Sequence, residues 1–447
     1  MSAMEFKGEE NHWNLGYEEQ KKIKLPRRLS FGNDEHDSHL ASGRTSCASA
    51  TSFPLWAMSP GTPWARSPLH ESPSPPLIYH CLASLHRREG NIFSIAVSQE
   101  LIFTGSESSR IHAWKIPDCI EMGHIKAKAG GIHALLAYDK FLFTTHSDYK
   151  IRVWDVQVKE NFQPKKITTL PRGRSFFLLP GRNIQQHKDY ISCIAYNHYE
   201  KILYTGSWDK TVKVWKISKK HCVDSFVAHE GPVNAIVINQ EDGCVFTCSS
   251  DGTTKIWRRV YGESSHILTM TLKFQPSPIN ALALYLSATD CFLYSGSSDG
   301  LINFWEKEKM SGRFNHGGFL QGHHFAVLCL ASVGELILSG SEDATIRVWR
   351  RDGNSFHSCL AVIDGHHGPV RCLVATVETQ DIMTGLLVYA ASLDQTFKVW
   401  RVKVSPSEKV NSERSVVTQN SEIKECEMMS PVLSPSWVEK KVQGIHF

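Results

Sequence analysis

Aspartate, histidine and tryptophan recur together along the middle of this chain. An Asp–His couple beside a hydroxyl is the raw material of nucleophilic catalysis. Seven tryptophans, Trp114, Trp154, Trp215, Trp257, Trp305, Trp349 and Trp400, each close a similar phrase, among them GSWDKTVKVW, CSSDGTTKIW and GSEDATIRVW. Six residues before the Trp stand Asp148, Asp209, Asp251, Asp299, Asp343 and Asp394, with Ser108 in the first phrase. His187, His229, His323 and His366 precede four of the phrases. An enzyme needs its reacting groups once. A set repeated in several copies reads as architecture, each internal hydrogen bond contributing about 0.5–1.5 kcal/mol.

Other chemistry fails on context. GSSDG at 296–300 fits a nucleophile elbow centred on Ser298, but that motif needs a strand-to-helix turn. Here LINFW follows at once as a strand, and CSSDG one copy earlier aligns with it. His323-His324 and His366-His367 are adjacent pairs. Adjacent side chains do not converge on one ion, and no Cys or carboxylate completes a known spacing. No G-x-x-x-x-G-K-[ST] loop and no G-x-G-x-x-G before a helix is found. The expectation is no catalytic residue, no metal and no cofactor.

The elements that must hold these residues are strands. In KILYTGSWDKTVKVW (Lys201–Trp215) an apolar strand meets a tight turn at SWDK. A second strand follows, Val212 and Val214 on one face, Thr211, Lys213 and Trp215 on the other. DYISCIAYN (Asp189–Asn197) supplies a more buried third strand. The preceding copy's outer strand is expected to complete a four-stranded sheet. One copy cannot bury its own apolar face, so the copies must stack into a shared core. LIYHCLASL (Leu77–Leu85) is predicted to supply the outer strand that the last copy, ending at Trp400, lacks.

The repeats define three regions. Residues 1–76, ending in SPGTPWARSPLHESPSPP, read as a disordered Ser/Pro-rich leader. Residues 77–403 hold the copies, and 404–447 form a polar, mostly disordered tail. Within that tail MMSPVLSPSWVEKK carries apolar residues but is expected to be solvated. The net charge of +4 is too mild to imply nucleic acid. No run of eighteen apolar residues predicts a membrane span, and MSAMEFKGEENHWNLGYEEQ has no apolar signal core. The twelve cysteines include no CxxC pair. Cys193, Cys329 and Cys372 occupy matching places, as small buried hydrophobes of a reducing compartment would.

At this point the chain resembles the WD-repeat β-propellers, whose repeats carry Gly-His ahead of the innermost strand and Trp-Asp at the end of the third. The matching signals are Gln186-His187, Ala228-His229, Gly322-His323 and Gly365-His366. Only Trp154-Asp155 keeps the literal Trp-Asp. The resemblance implies an all-β, seven-bladed WD-repeat β-propeller with disordered N- and C-terminal tails. It also implies a hydrogen-bonded chain from Trp through Ser or Thr and His to Asp at one end of a blade. Copies one, two and five have Arg88, Lys128 and Gln275 near the place of the His, so their blades are expected to be less rigidly tied. The Ser/Pro-rich leader, the third-blade insertion LPRGRSFFLLPGRNIQQHKD and the tail SPVLSPSWVEKK are similar to those of the plant JINGUBANG-like WD-repeat proteins. That subfamily is associated with regulation of pollen germination through partner proteins.

WD-repeat proteins commonly bind peptides at two sets of rim positions. One is the residue before each turn Asp: Glu107, Ser147, Trp208, Ser250, Ser298, Glu342 and Leu393. The other is the second residue of each inner strand: Phe93, His133, Ser192, Asn234, Asn280, Leu328 and Arg371. Trp208 is the sharpest choice, because the repeat does not need an aromatic there and Trp dominates interface energetics. In the leader, KKIKLPRR includes Lys21, Lys22, Lys24, Arg27 and Arg28, consistent with nuclear import and a cytoplasmic and nuclear distribution. The expected function is a non-enzymatic platform for proteins or peptides, transcriptional regulators among them. Two alternatives compete. A ubiquitin-ligase substrate receptor would carry Trp-Asp-x-Arg, but Trp154-Asp155 continues to Val156-Gln157, and no F-box-like helical module is seen. A nucleic-acid-binding propeller would use basic blade ends such as VWRR, yet the overall balance is not strongly basic.

Overall fold

The structure, a computed structural model, describes residues 77–86, 90–98, 100–157, 162–171, 186–260, 262–352, 356–378, 384–404 and 432–433. These form seven antiparallel sheets. Blade 3 shows the pattern with β10 (Ile191–Asn197), β11 (Ile202–Ser207), β12 (Thr211–Lys216) and β13 (His221–Val227), hydrogen-bonded in that order. The fourth strand follows Trp215; it is not the preceding copy's outer strand, as the repeat phrase suggested. The preceding outer strand, β9 (Lys165–Leu170), pairs with β8 (Ile151–Asp155) in blade 2. The reason lies in the chain's short turns: each strand folds back onto its immediate predecessor, and the break falls at the loop carrying His187.

The turn between the second and third strands is built by its own residues. Ser207 Oγ accepts from Asp209 N at 3.1 Å, and Asp209 Oδ1 accepts from Thr211 N at 3.0 Å. The residue after the Asp takes a positive φ, 70° at Lys210, 66° at Ala344 and 65° at Gln395. Gly252 and Gly300 adopt it without the steric cost. The glycine of GSWD has a separate reason. A Cβ on Gly206 would sit 2.6 Å from the Val233 side chain of the next blade. Small residues there let each blade pack against the following inner strand, and apolar clusters accordingly straddle neighbouring blades.

Ring closure joins the two ends of the repeat region. β1 (Leu77–His86) runs antiparallel to β28 (Thr396–Val404), from Leu77 opposite Val404 to His86 opposite Thr396. This is the outer strand the sequence predicts for blade 7. The tail departs from its expected solvated state at one place: β29 (Val432–Leu433) adds to the outer strand of blade 5. The rest of the tail, the leader, and most of the third-blade insertion lie outside the described residues. Among the described residues no helix is long and apolar enough to cross a membrane.

Candidate protein-binding face

Each inner strand of the ring carries a β-bulge at its second residue. The pairing register skips Phe93, His133, Ser192, Asn234, Asn280, Leu328 and Arg371. A bulge leaves one residue out of the ladder and re-aims its side chain. These are the seven inner-strand positions the sequence singles out, and the bulge is the physical reason they differ from their neighbours. Beside them stand the turn residues. His133 Nε2 lies 3.1 Å from Ser147 Oγ. Asn234 Nδ2 donates to Ser250 Oγ at 3.0 Å and to Ile279 O of the next blade at 2.8 Å. Asn280 repeats this with Ser298 Oγ and Val327 O.

On blades 1 to 3 the rim is aromatic. Phe93 stacks on His133 at 6.1 Å, and His133 lies 4.4 Å from Tyr190. Tyr190 meets Tyr149 at 5.5 Å and Trp208 edge-on at 5.5 Å. Trp208 remains 46% exposed, which decides against a purely packing role for its ring. Burial lowers the pKa of His133, favouring the neutral imidazole that stacks on aromatic faces. Tyr190 and Tyr149 did not emerge from the sequence: Tyr190 precedes the inner strand, and its role as the hub depends on two neighbouring blades. Glu107 accepts from Asn91 Nδ2 at 3.0 Å. Glu342 and Arg371 are exposed on blades 6 and 7, outside the aromatic arc.

Beneath the rim run the Asp–His–Trp sets. In blade 3 Trp215 Nε1 donates to Thr205 Oγ1 at 2.9 Å. Thr205 Oγ1 lies 2.8 Å from His187 Nε2, and His187 Nδ1 is 3.0 Å from Asp209 Oδ2. Blade 4 repeats this through Trp257, Thr247, His229 and Asp251, and blade 6 through Trp349, Ser339, His323 and Asp343. Burial raises the Asp209 carboxyl, but hydrogen bonds from His187, Thr211 and Lys188 N outweigh it and hold the group ionised. Burial likewise opposes the hydrogen bonds on Asp394 of blade 7, whose pKa still falls to about 2. The imidazoles of these sets are buried. Cys193 and Cys372 are no better placed as nucleophiles: burial pushes their thiols up to about 12.

The three blades expected to be loosely tied replace the loop histidine differently. In blade 2 His146, from the strand before the turn, lies 2.7 Å from Thr144 Oγ1. Burial, with Arg152 nearby, lowers its pKa to about 3. Asp148 is freed to pair with both terminal nitrogens of Arg152, at 3.0 and 2.7 Å. In blade 5 Phe274 stacks on His316 at 4.1 Å, and His316 meets the Trp305 ring at 4.8 Å. In blade 1 His112 Nδ1 lies 2.6 Å from Glu121 Oε1. These blades carry other contacts where the loop histidine would stand, near Lys128 and Gln275, while Arg88 lies outside the described residues. The import residues Lys21, Lys22, Lys24, Arg27 and Arg28 lie outside the described residues.

Comparison with known proteins agrees with this geometry. The WD40 family (WD domain, G-beta repeat) matches residues 179–216, 220–258, 267–306, 315–350 and 357–401. The chain is similar to telomerase protein component 1 of Rattus norvegicus, 22% identical over 68% of this chain and 9% of that protein. It is similar to WD repeat-containing protein pop2 of Schizosaccharomyces pombe, 27% identical over 41% of this chain and 23% of the relative. Nuclear distribution protein PAC1 of Candida albicans is 23% identical over 67% of this chain and 72% of its own length. The chain thus spans less than a quarter of the first two relatives. WD-repeat propellers generally act as protein-interaction scaffolds. Repeats, matched segments and closed ring together make this chain a seven-bladed WD-repeat β-propeller.

Proposed function

We propose that this protein is a non-enzymatic platform that binds a peptide or protein partner on the rim of blades 1 to 3. The observation that carries this reading is the aromatic arc of Phe93, His133, Tyr149, Tyr190 and half-exposed Trp208. Fold stability does not require an aromatic at Trp208, since the equivalent turn positions hold Glu, Ser or Leu. Large aromatic rings bring contact area at low entropic cost and dominate interface energetics. The test compares partners captured by proximity labelling with the full-length chain and with its Trp208→Ala and Tyr190→Ala variants. A hot spot of about 2 kcal/mol corresponds to a loss of roughly 30-fold in affinity. The expected result is loss of the same partners in both variants with melting temperature nearly unchanged. Retention of every partner in both would overturn the site.

The finer reading is a plant regulator of pollen germination that meets transcriptional partners. Its support is the likeness of leader, insertion and tail to the JINGUBANG-like proteins. A distribution between cytoplasm and nucleus belongs to the same proposal, with KKIKLPRR as the import run. Changing Lys21, Lys22, Arg27 and Arg28 to Ala, in a fusion too large to diffuse through the pore, is expected to empty the nucleus of the protein. An unmoved nuclear fraction would reduce the run to solvated charge.

A further inference from the structure

Arg351 is a buried cation without a counter-charge. It stands two residues past Trp349 on the third strand of blade 6, β24 (Ile346–Asp352), and is 9% exposed. Its guanidinium carbon lies 4.5 Å from the ring centre of Tyr285 and 4.6 Å from that of Phe292. Those two rings face each other across β18 (Ile279–Leu286) and β19 (Cys291–Ser297) of blade 5, so the cation spans the seam between blades. Stacking occupies the faces of a guanidinium and leaves its N–H edges for a planar anion. Here Nε is buried with no hydrogen-bond partner, and no carboxylate among the described residues forms an ion pair with Arg351.

The seam between blades 3 and 4 shows how such a cation is otherwise held. Arg259 stands two residues past Trp257, as Arg351 does past Trp349. Arg259 Nη1 pairs with Glu200 of blade 3 at 2.9 Å, and its Nε donates to Glu263 O at 2.8 Å. Beside it His266 lies 2.7 Å from Asp224 Oδ2 and 3.1 Å from the Tyr204 hydroxyl. The seam between blades 5 and 6 keeps the Tyr–His contact, Tyr294 to His357 at 2.8 Å, but not the two carboxylates. Gly318 faces Phe304 where Asp224 faces Val214. Asp290 stands six residues before Gly296, as Glu200 does before Gly206. Its side chain is one methylene shorter and is engaged elsewhere, by Thr289 Oγ1 at 3.0 Å and Lys309 Nζ at 3.7 Å. Glu335 meets Arg351 through its main chain, its carbonyl accepting from Arg351 N at 3.0 Å.

A buried charge left unpaired is costly, so a seam that keeps the cation and withdraws both carboxylates is suited to an anion from outside. The guanidinium fork matches a carboxylate bidentately. Asp290 and Glu335 stand near it, and their charge favours a monoanion over a phosphate dianion. Met310 and Phe356 are exposed on the hairpins between third and fourth strands of blades 5 and 6, at the same end of the ring. They offer apolar surface to the neighbours of an acidic residue in a peptide. We propose that this seam is a second binding site, in which Arg351 takes the carboxylate of an acidic side chain from a partner peptide. It lies at the end of the blades opposite the Asp turns, away from the aromatic rim, and stands whether or not that rim binds a partner.

Calorimetric titration of the full-length chain tests the site. The probe is an acetylated, amidated pentapeptide of alternating leucine and glutamate, and the control peptide carries glutamine in place of glutamate. The parent is expected to bind the first and not the second. Arg351→Met keeps an unbranched apolar side chain between the rings and removes the charge. Asp290→Glu restores the glutamate of the matched seam and should close the slot from within. Each is expected to weaken binding at least about tenfold, the loss of one charge-assisted pair. Should Arg351→Met melt early, Asp290→Glu decides alone, because it leaves the cation in place. Trp208→Ala alters only the rim and is expected to bind the glutamate peptide as the parent does. Failure of that peptide to bind the parent would overturn the site, as would equal binding of the glutamine peptide or undiminished binding to Asp290→Glu. Displacement of the peptide by less inorganic phosphate than acetate would overturn the choice of a carboxylate.

Discussion

A chain shortened to begin at Gly90 will melt well below one that begins at Ser72, and will aggregate on heating. The difference between the two is β1. That strand pairs with β28 along nearly its whole length, through a single bulge between Cys81 and Ala83. Leu77 is buried in the blade 6–7 cluster with Leu338, Val388 and Trp400. Burying such a side chain stabilises by about 1.5–3 kcal/mol. Leu85 and Ala83 pack against a second cluster that contains Ile92 and Trp114 of blade 1 and Phe397 of blade 7. Tyr79 donates to Val362 O of blade 6 at 3.1 Å and lies edge-on to Trp400. One strand therefore ties blades 6, 7 and 1 together, and each lost ladder bond adds about 0.5–1.5 kcal/mol to the cost. The expected fall in melting temperature is on the order of 10 °C. Without β1 the ring has a long free edge at β28, a template for pairing with another chain. Equal melting temperatures and equal solubility for the two chains would show that the ring holds without this strand.

The ring was legible in the sequence because its signals are local. A Trp, a turn Asp and an alternating strand lie within ten residues of one another, and repetition supplies the rest. The rim positions were legible for the same reason: the second residue of an inner strand can be counted from the turn. The bulge that re-aims Asn234 or Arg371 could not be counted, because it is a property of pairing between strands. Tyr190 was missed because its partners His133, Tyr149 and Trp208 come from two blades. His146 was hidden by its position: it reaches Thr144 from two residues along the same strand, where the repeat usually carries serine. The edge of blade 5 lay furthest out of reach, since Phe319 and Leu433 are joined only by the folded ring.

Blade 7 holds an incomplete network, and repairing it should stabilise the protein. His366 Nδ1 lies 3.3 Å from Asp394 Oδ2 and 3.0 Å from Thr396 Oγ1. Above the ring the set breaks. In blades 3, 4 and 6 a hydroxyl on the second strand, from Thr205, Thr247 or Ser339, joins the Trp indole to the His Nε2. Ala390 occupies that place in blade 7, opposite Lys398 as Ser339 is opposite Arg347. Trp400 Nε1 and His366 Nε2 are buried and have no hydrogen-bond partner among the described residues. A buried polar atom left unpaired costs about 1–3 kcal/mol. One hydroxyl satisfies both atoms, accepting from the indole and donating to the imidazole. Ala390→Ser is therefore expected to raise stability by about 2 kcal/mol and the melting temperature by several degrees. Ala390→Val adds carbon without a hydroxyl and is expected to give no gain. Asp209→Ala cuts an intact network and should move the other way by about 1–3 kcal/mol, since His187 Nδ1, Lys188 N and Thr211 N lose their acceptor. Partner capture separates these effects from recognition: Ala390 is wholly buried, so its serine variant should bind as the parent does. A melting temperature that fails to rise in Ala390→Ser would mean that the two buried atoms already have partners, and that blade 7 is held as firmly as blade 3.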